Sequence, residues 1–307
     1  MAPPAAPRFP AIPESMTDTG PSPRALPPNV RVGCSSFTAN GWVGPFYPPG
    51  TPPADFLRFY ATRFDTVEVD ATFYAAPSRS VVAGWNEKTP PGFVLSAKVP
   101  QAITHEKELA GCEDDIRRFA ETMAEGLGGK LGPLVLQFAY VAKGKDAEEY
   151  RTGARFMERL AAFLARKPPG VRFALEVRNA TWLGPGLVGL LRENGVALVV
   201  SDYFTMPDLE KIERTGIDPL TADFAYVRFI GDRKRIEAKM AEVKPAERRD
   251  AFDEIVVDRR PEMERWVRSL KRLATRAREI YVYFNNHYAG FGPESVRLFE
   301  ATWSRPS

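Results

Sequence analysis

Residues 172–178 read RFALEVR, a short apolar run with polar side chains near its end, and the same pattern recurs along the chain. Seven further runs of this kind lie at residues 32–36, 66–72, 94–100, 134–138, 197–202, 225–231 and 280–286. Longer segments with helical periodicity separate the runs, which is typical of βα units repeated around a parallel sheet. Eight runs predict a single (β/α)8 barrel of the TIM type, an α/β fold, in preference to an open doubly wound sheet.

The barrel is predicted to fill residues 30–307 as one domain. Residues 1–29 contain nine prolines and no apolar periodicity, which predicts a disordered Pro-rich leader outside the fold. Both Met1 and Met16 are candidate start residues. Within the barrel, Pro52 and Pro293 stand at the predicted starts of two amphipathic helices.

Composition indicates a water-soluble globular protein. Apolar residues make up 44% of the chain and charged residues 26%, so a sizeable core can form without metal or disulfide support. Two cysteines are too few for a disulfide framework, and no run approaches the roughly 18 apolar residues of a membrane helix. We therefore expect a cytoplasmic protein with no membrane partner. The net charge of +3 falls short of the clustered positive charge of a dedicated nucleic-acid binder.

Polar residues interrupt the apolar runs where the runs end. In a (β/α)8 barrel the C-terminal ends of the strands surround the active site, so these interruptions are functional candidates. Period-two alternation places Glu68, Asp70 and Thr72 on one face of the second strand, and Glu176 and Arg178 on one face of the fifth. If both faces point inward, acids and bases meet at the barrel mouth, where perturbed pKa values prepare such groups for proton transfer.

We assign candidate catalytic roles to Glu68, Lys98, His105 and Glu176. The candidate substrate-binding residues are polar or aromatic groups near the strand ends: Thr72, Tyr74, Gln137, Arg178, Trp182, Asp202, Arg228, Asn285 and Asn286. A structural interpretation stands beside the functional one, because charged residues inside barrels also form ion pairs and large aromatics near strand ends commonly pack in the core.

Two segments outside the strands carry further signals. The loop at residues 287–293 reads HYAGFGP and leads into the last predicted helix, an arrangement that suits an anion, although a tight turn explains its glycines equally well. The segment 232–258 carries seven positive and eight negative side chains, which predicts a solvated, salt-bridged helix over the barrel mouth.

Ordered motifs run through most of the chain. They are VGCSS at 32–36, GWVGPFYP at 41–48, TVEV at 66–69, TFY at 72–74, W at 85 before TP at 89–90, K at 98, TH at 104–105, EVR at 176–178, W at 182 and FNN at 284–286. From about residue 30 onward the chain resembles the YecE-like family, also called domain of unknown function 72. The resemblance implies a TIM-type barrel with these polar residues at its mouth and implies no known reaction. The chain departs from the family pattern at Ser36 and Phe37, where a Gly-Trp pair is commoner, and at Ile230, where a histidine often stands.

The leading functional hypothesis is an enzyme that acts on a small or polymeric anionic substrate bearing phosphate or carboxylate. Glu68 or Glu176 would serve as the general base and Lys98 or His105 as the general acid. Arg178 and Arg228 would act as anion clamps.

Other functions remain open at this stage. A nucleic-acid-binding or phosphodiester-processing barrel would use the same cations against phosphates, and a non-catalytic ligand-binding barrel would use them without chemistry. No GxGxxG motif follows the first run, so no nucleotide cofactor is indicated. A hard divalent cation held by Glu68, Glu176, Asp202 and His105 is a further hypothesis, and a glycosidase that uses the two glutamates is the least favoured.

Overall fold

The computed structural model describes residues 26–39 and 41–305, so most of the predicted Pro-rich leader lies outside the described residues. All eight predicted strands are confirmed, with their ends shifted by a few residues. They are β1 (Val30–Cys34), β2 (Thr66–Val69), β3 (Val94–Lys98), β4 (Leu131–Gln137), β5 (Phe173–Glu176), β6 (Ala197–Tyr203), β7 (Phe224–Gly231) and β8 (Glu279–Phe284). Every ladder between neighbouring strands is parallel.

Helices lie between the strands, as in repeated βα units. They are α1 (Phe56–Tyr60), α2 (Arg79–Glu87), α3 (Glu113–Leu127), α4 (Ala147–Thr152), α5 (Ala154–Leu164), α6 (Pro185–Glu193), α7 (Leu209–Arg214), α8 (Arg233–Val243), α9 (Arg260–Ala274) and α10 (Gly292–Trp303). The two predicted amphipathic helices correspond to α1 and α10. Proline stands in the first turn of α10, where its missing N–H group removes no helical hydrogen bond.

The strands are ordered β1-β8-β7-β6-β5-β4-β3-β2. The sheet curls until the strands at its two edges, β1 and β2, lie next to each other. No ladder is present between β1 and β2 among the described residues, and a side chain joins these strands instead. The Tyr60 hydroxyl accepts a hydrogen bond from the Cys34 amide at 2.7 Å and donates to the Thr66 carbonyl at 3.1 Å. A Cβ atom on Gly33 would lie 2.1 Å from the same carbonyl oxygen, so glycine permits the close approach. The barrel is therefore nearly closed.

Inward-facing side chains fill the barrel. The apolar and aromatic members of this inner cluster are Val94, Val135, Ala174, Ala197, Val199, Phe224, Tyr226, Tyr281 and Tyr283. Their rings also carry hydrogen bonds: the Tyr283 hydroxyl lies 2.6 Å from Thr66 Oγ1 and 3.0 Å from Ser96 Oγ. The outward-facing strand residues pack against the helices in a second, larger core.

Two sequence-based expectations about local structure need correction. Strand β2 ends at Val69, and Thr72 lies in the following 3-10 turn (Ala71–Phe73), so it does not continue the alternation of the strand. The loop at 287–293 is a packed turn: residues 288–293 are buried, and the Gly292 amide at the start of α10 donates to Asn286 Oδ1 at 3.0 Å. Of the two interpretations that the sequence left open for this loop, the structure therefore supports the tight turn over the anion site.

The predicted salt-bridged helix within 232–258 is confirmed as α8. Its exposed face carries ion pairs between Arg233 and Glu237 at 2.6 Å and between Lys239 and Glu242 at 2.9 Å. Throughout the described residues, every helix is either too short or too polar to span a bilayer.

Candidate functional site

The floor of the barrel mouth is a buried ion cluster contributed by three strands. Arg228 of β7 donates to Glu68 Oε1 of β2 from Nε at 3.1 Å and from Nη2 at 2.6 Å. Its Nη1 donates to Glu176 Oε2 of β5. The side chains of both glutamates are 0% exposed and that of Arg228 is 2% exposed, so one guanidinium contacts two carboxylates away from water.

The charges in this cluster stabilise one another. Burial alone would raise the pKa of Glu176, but the positive charges of Arg228, Arg178 and Lys98 outweigh burial and lower it to about 2. Burial disfavours the charged form of Arg228, yet Glu176 and Glu68 raise its pKa well above the usual value. Tyr226 donates from its hydroxyl to Glu68 Oε2 at 2.7 Å and ties the cluster to the inner aromatic core.

This geometry corrects two sequence-based role assignments. Arg228 is buried and holds both glutamates, so it is not available as an anion clamp. Glu176 is buried and held by both Arg228 and Arg178, whose charges lower its pKa, and this arrangement disfavours the general-base role. Because the same guanidinium binds both carboxylates, no space is left between them for a glycosidic bond, which disfavours the glycosidase hypothesis.

A second layer of charged groups lies above the floor and is partly open to solvent. Lys98 Nζ at the end of β3 lies 3.3 Å from Asp70 Oδ1, and Lys98 also lies over the Phe73 ring. Arg178 donates from Nε to Glu176 Oε1 at 3.0 Å and stacks over the ring of Tyr203. The side chains of Lys98, Asp70 and Arg178 are 12%, 29% and 21% exposed, so a ligand entering the mouth meets these groups first.

Asp70 is a titratable group of this layer that is not among the candidate catalytic or substrate-binding residues predicted from the sequence. Burial raises its pKa, Lys98 opposes that rise, and the negative charge of Glu68 adds to it. The signal was present in the sequence, because Asp70 alternates with Glu68 just after β2. A carboxyl group with a raised pKa beside an ammonium group is suited to proton transfer.

His105 lies beside this layer in a π-helical turn (Ala102–Glu106) that follows β3. Its Nδ1 is 2.8 Å from Thr104 Oγ1, and its ring meets the edge of the Phe73 ring. Burial lowers the pKa of His105, and the positive charges of Arg178 and Lys98 lower it further. The imidazole is therefore neutral at pH 7, and it is close enough to both cations to sense their charge.

Four of the other candidate residues form hydrogen bonds with neighbouring protein atoms. Thr72 Oγ1 lies within hydrogen-bond distance of the Val69 and Lys98 carbonyls, and Gln137 Nε2 donates to the Phe138 carbonyl. Asn285 Oδ1 accepts from the His287 amide. Asn286 Oδ1 accepts from the indole of Trp42 at 3.3 Å as well as from Gly292. These residues shape the turns around the mouth, and their contact with a substrate remains a prediction.

The remaining candidates lie away from the charged centre. Asp202 forms a two-oxygen contact with Arg259, which precedes α9, at 3.0 and 2.9 Å. Tyr74 is 75% exposed. Trp182 is buried against α5, with its indole N–H donating to the Glu149 carbonyl at 2.8 Å.

The four proposed ligands of a hard cation are not brought together. Within residues 26–39 and 41–305, no group of three or more His, Cys, Asp or Glu side chains has a metal-binding arrangement. Glu68 and Glu176 are held by Arg228, and Asp202 is held by Arg259. The residues present therefore do not fit the cation hypothesis.

Eight parallel strands with intervening helices and a charged cluster at the C-terminal mouth define the chain as a (β/α)8 barrel protein. A protein-family model described as "Protein of unknown function DUF72" matches residues 31–306, and the chain belongs to this family. Membership confirms the family resemblance drawn from the motifs.

Relatives and solved structures agree with this placement. The chain is 30% identical to UPF0759 protein YecE of Escherichia coli K12 over 57% of its own length, and the match spans 66%, just under two thirds, of that relative. It is 24% identical to UPF0759 protein YunF of Bacillus subtilis over 84% of its length and 91% of that relative. The crystal structure of a DUF72 family protein from Thermotoga maritima covers 90% of this chain and 99% of its own, with 26% identity and a TM-score of 0.68. A DUF72 family protein from Enterococcus faecalis shares the fold at 21% identity and a TM-score of 0.63, covering 91% and 96% of the two chains.

Proposed function

We propose that the barrel mouth is the active site of an acid–base enzyme that acts on a substrate bearing a phosphate or carboxylate group. The observation that carries the proposal is the second charged layer, in which Lys98 and Arg178 are partly exposed above the buried ion cluster. Two cations that are partly exposed and held by packing are suited to binding an anion.

In this proposal the roles divide between the two layers. Arg178 and Lys98 bind the anionic group, and Asp70 exchanges a proton with the substrate. His105 is a second proton acceptor at the side of the mouth. Glu68, Glu176 and Arg228 act as positioning residues, because their ion pairs orient Arg178 and the strand ends without contacting substrate.

Anion binding is tested with inorganic phosphate by isothermal titration calorimetry. We expect wild type to bind phosphate, and Lys98→Met or Arg178→Met to weaken binding about tenfold or more, since each variant removes one charge-assisted contact. Arg117→Met, on the exposed surface of α3, is the matched control and should leave the affinity unchanged. Equal affinities in all four proteins would contradict the proposal.

Catalysis is tested by incubating the protein with a metabolite extract rich in phosphorylated and carboxylated compounds, followed by mass spectrometry. Wild type should consume at least one anionic metabolite, and Asp70→Asn should fail to do so while it still binds phosphate. Consumption of the same metabolite by Asp70→Asn would remove Asp70 from the chemistry. A mixture left unchanged by wild type would contradict enzyme activity.

Nucleic-acid binding stays a prediction, and the contacts in the barrel mouth do not support it. The three cations of the two layers, Lys98, Arg178 and Arg228, are matched by carboxylates from Glu68, Asp70 and Glu176. A phosphate backbone is bound by several cations spread along a surface, whereas only Lys98 and Arg178 of these three are partly exposed, so the mouth has room for a single anionic group. Binding to nucleic acid would also weaken steeply with salt. A fluorescence titration with single- and double-stranded DNA at low salt tests this hypothesis.

A further inference from the structure

A small pocket opens beside the charged mouth, between the ends of β3, β4 and β5 and helix α5. Its volume is about 120 Å³. His105 lies on the side nearest the mouth, and Phe138, Phe156 and Trp182 supply aromatic surface. Phe138 directly follows Gln137, the last residue of β4, and Trp182 follows Arg178 by four positions. The segments after β4 and β5 therefore connect the barrel mouth to the pocket wall.

The aromatic wall is held rigidly. The rings of Trp182 and Phe156 stack with centroids 4.7 Å apart and an interplanar angle of 18°, and Phe138 meets Phe156 edge-on at 4.9 Å. A Cβ atom on Gly153 would lie 3.0 Å from the Trp182 ring, so the backbone at Gly153 packs closely against the indole. The wall therefore exists before any ligand binds, and ordering it costs no affinity.

The polar groups around the pocket are already used. The Glu149 carboxylate accepts from the Arg155 and Phe156 amides at 3.0 and 2.9 Å and thereby caps α5. At the rim, Arg159 pairs with Glu108. Arg155 also lines the pocket and pairs with Asp146. With these charges paired, more of the pocket surface is apolar than polar, which favours an apolar occupant.

The geometry points to a substrate with two parts: an anionic group bound by Lys98 and Arg178, and a single aromatic ring that enters the pocket against Trp182 and Phe138. The inference rests on the proposed function, because the anion fixes the end of the substrate that lies in the mouth. The pocket volume of about 120 Å³ is close to that of an enclosed apolar cavity of about 150 Å³ that accepts benzene, and this pocket is also open on one side, so a single ring is the largest apolar group that it suits. His105 lies between the two parts and would contact the bond that joins them.

The test compares methylphosphonate with phenylphosphonate, which differ in the presence of a ring. Wild type should bind phenylphosphonate roughly tenfold to one hundredfold more tightly by calorimetry, because ring burial adds apolar contact. Ala139 lines the pocket and is exposed, so Ala139→Phe can fill the space without disturbing the core. This variant should bind methylphosphonate normally and lose the preference for phenylphosphonate. Ala241→Phe, which places the same ring on the exposed face of α8, is the matched control and should keep the preference.

Each other outcome has a distinct meaning. Equal affinity of wild type for the two phosphonates, with both bound, would overturn the ring pocket and leave the anion site standing. A preference that survives Ala139→Phe would also overturn the ring pocket. Failure of wild type to bind either compound would overturn the anion site of the proposed function, and with it the inference that rests on it.

Discussion

Arg228 joins three strands of the barrel through one side chain. Its guanidinium holds Glu68 of β2 and Glu176 of β5 from a position on β7, and all three side chains are buried. A buried ion pair is weak support for stability compared with an apolar core, but its partial removal is costly because a charge is left without a partner.

The first prediction at this scale concerns Arg228→Ala. The variant removes the guanidinium that pairs with buried Glu68 and leaves buried Glu176 with Arg178 alone, so we expect the free energy of unfolding to fall by about 3 to 5 kcal/mol in urea denaturation. Addition of Glu68→Gln and Glu176→Gln should restore part of that loss, because the buried negative charge is then removed. As a control, Arg233→Ala removes an exposed ion pair of α8 and should cause no measurable change. Full stability of Arg228→Ala would show that the cluster is not coupled to folding.

The sequence predicted which charged residues would gather, and it could not predict which of them would pair. Period-two alternation placed Glu68 and Glu176 on inward faces, and the barrel brought both to one mouth. Their shared partner is set by how strands distant in sequence meet in the closed barrel. For that reason Arg228 was expected to bind an anion, and it binds two glutamates instead.

At the scale of the secondary-structure elements, the junction of β1 and β2 is unusual because a phenol group replaces a ladder. The Tyr60 hydroxyl satisfies a buried N–H group on one strand and a buried carbonyl on the other. A buried backbone group without a partner costs about 1 to 3 kcal/mol. The Tyr60 hydroxyl therefore stabilises the junction between β1 and β2.

The second prediction follows from this junction. Tyr60→Phe keeps the ring packing and removes the hydroxyl, so we expect a loss of about 1 to 3 kcal/mol in the free energy of unfolding. The amide of Cys34 should also exchange its hydrogen faster in native-state exchange measured by mass spectrometry. Tyr74→Phe is the control, since that side chain is 75% exposed and its hydroxyl should be dispensable. Unchanged exchange at Cys34 would contradict the proposed joining role.

Strand positions were predictable because each strand is a short apolar run bounded by polar residues and turns. The ends of the strands were less predictable. Alternation extrapolated through 66–72 gave Thr72 an inward position, whereas a 3-10 turn begins right after Asp70. Asp202 likewise follows inward-facing Ser201 and therefore points outward to Arg259. A shift of one residue at a strand end moves a side chain from the mouth to the outer layer.

At the scale of the whole molecule, the buried charges link folding to pH. The pKa of Glu176 is about 2 in the folded chain and 4.5 ordinarily, so its contribution to stability is present above about pH 4.5. That contribution is lost as the pH falls from 4.5 toward 2, because the unfolded chain then binds a proton that the folded chain does not.

The third prediction is an acid limb in the stability profile. Between pH 5 and pH 2.5, the free energy of unfolding of wild type should fall, with Glu176 contributing on the order of 3 kcal/mol. Glu176→Gln should be less stable at pH 7 and should show a shallower fall across this range. Glu125→Gln, an exposed site on α3, should follow the wild-type profile. Parallel profiles for wild type and Glu176→Gln would exclude this linkage.

The interlocked phenol rings inside the barrel have a consequence for divergence within the family. Tyr283 contacts hydroxyls on two other strands and Tyr226 supports the charged floor, so a change at either ring must be matched by its neighbours. The segments 102–108 and 138–141 follow β3 and β4 and take no part in these tyrosine hydrogen bonds. We expect ligand preference within the family to change through substitutions in those two segments, while the tyrosine residues inside the barrel are retained.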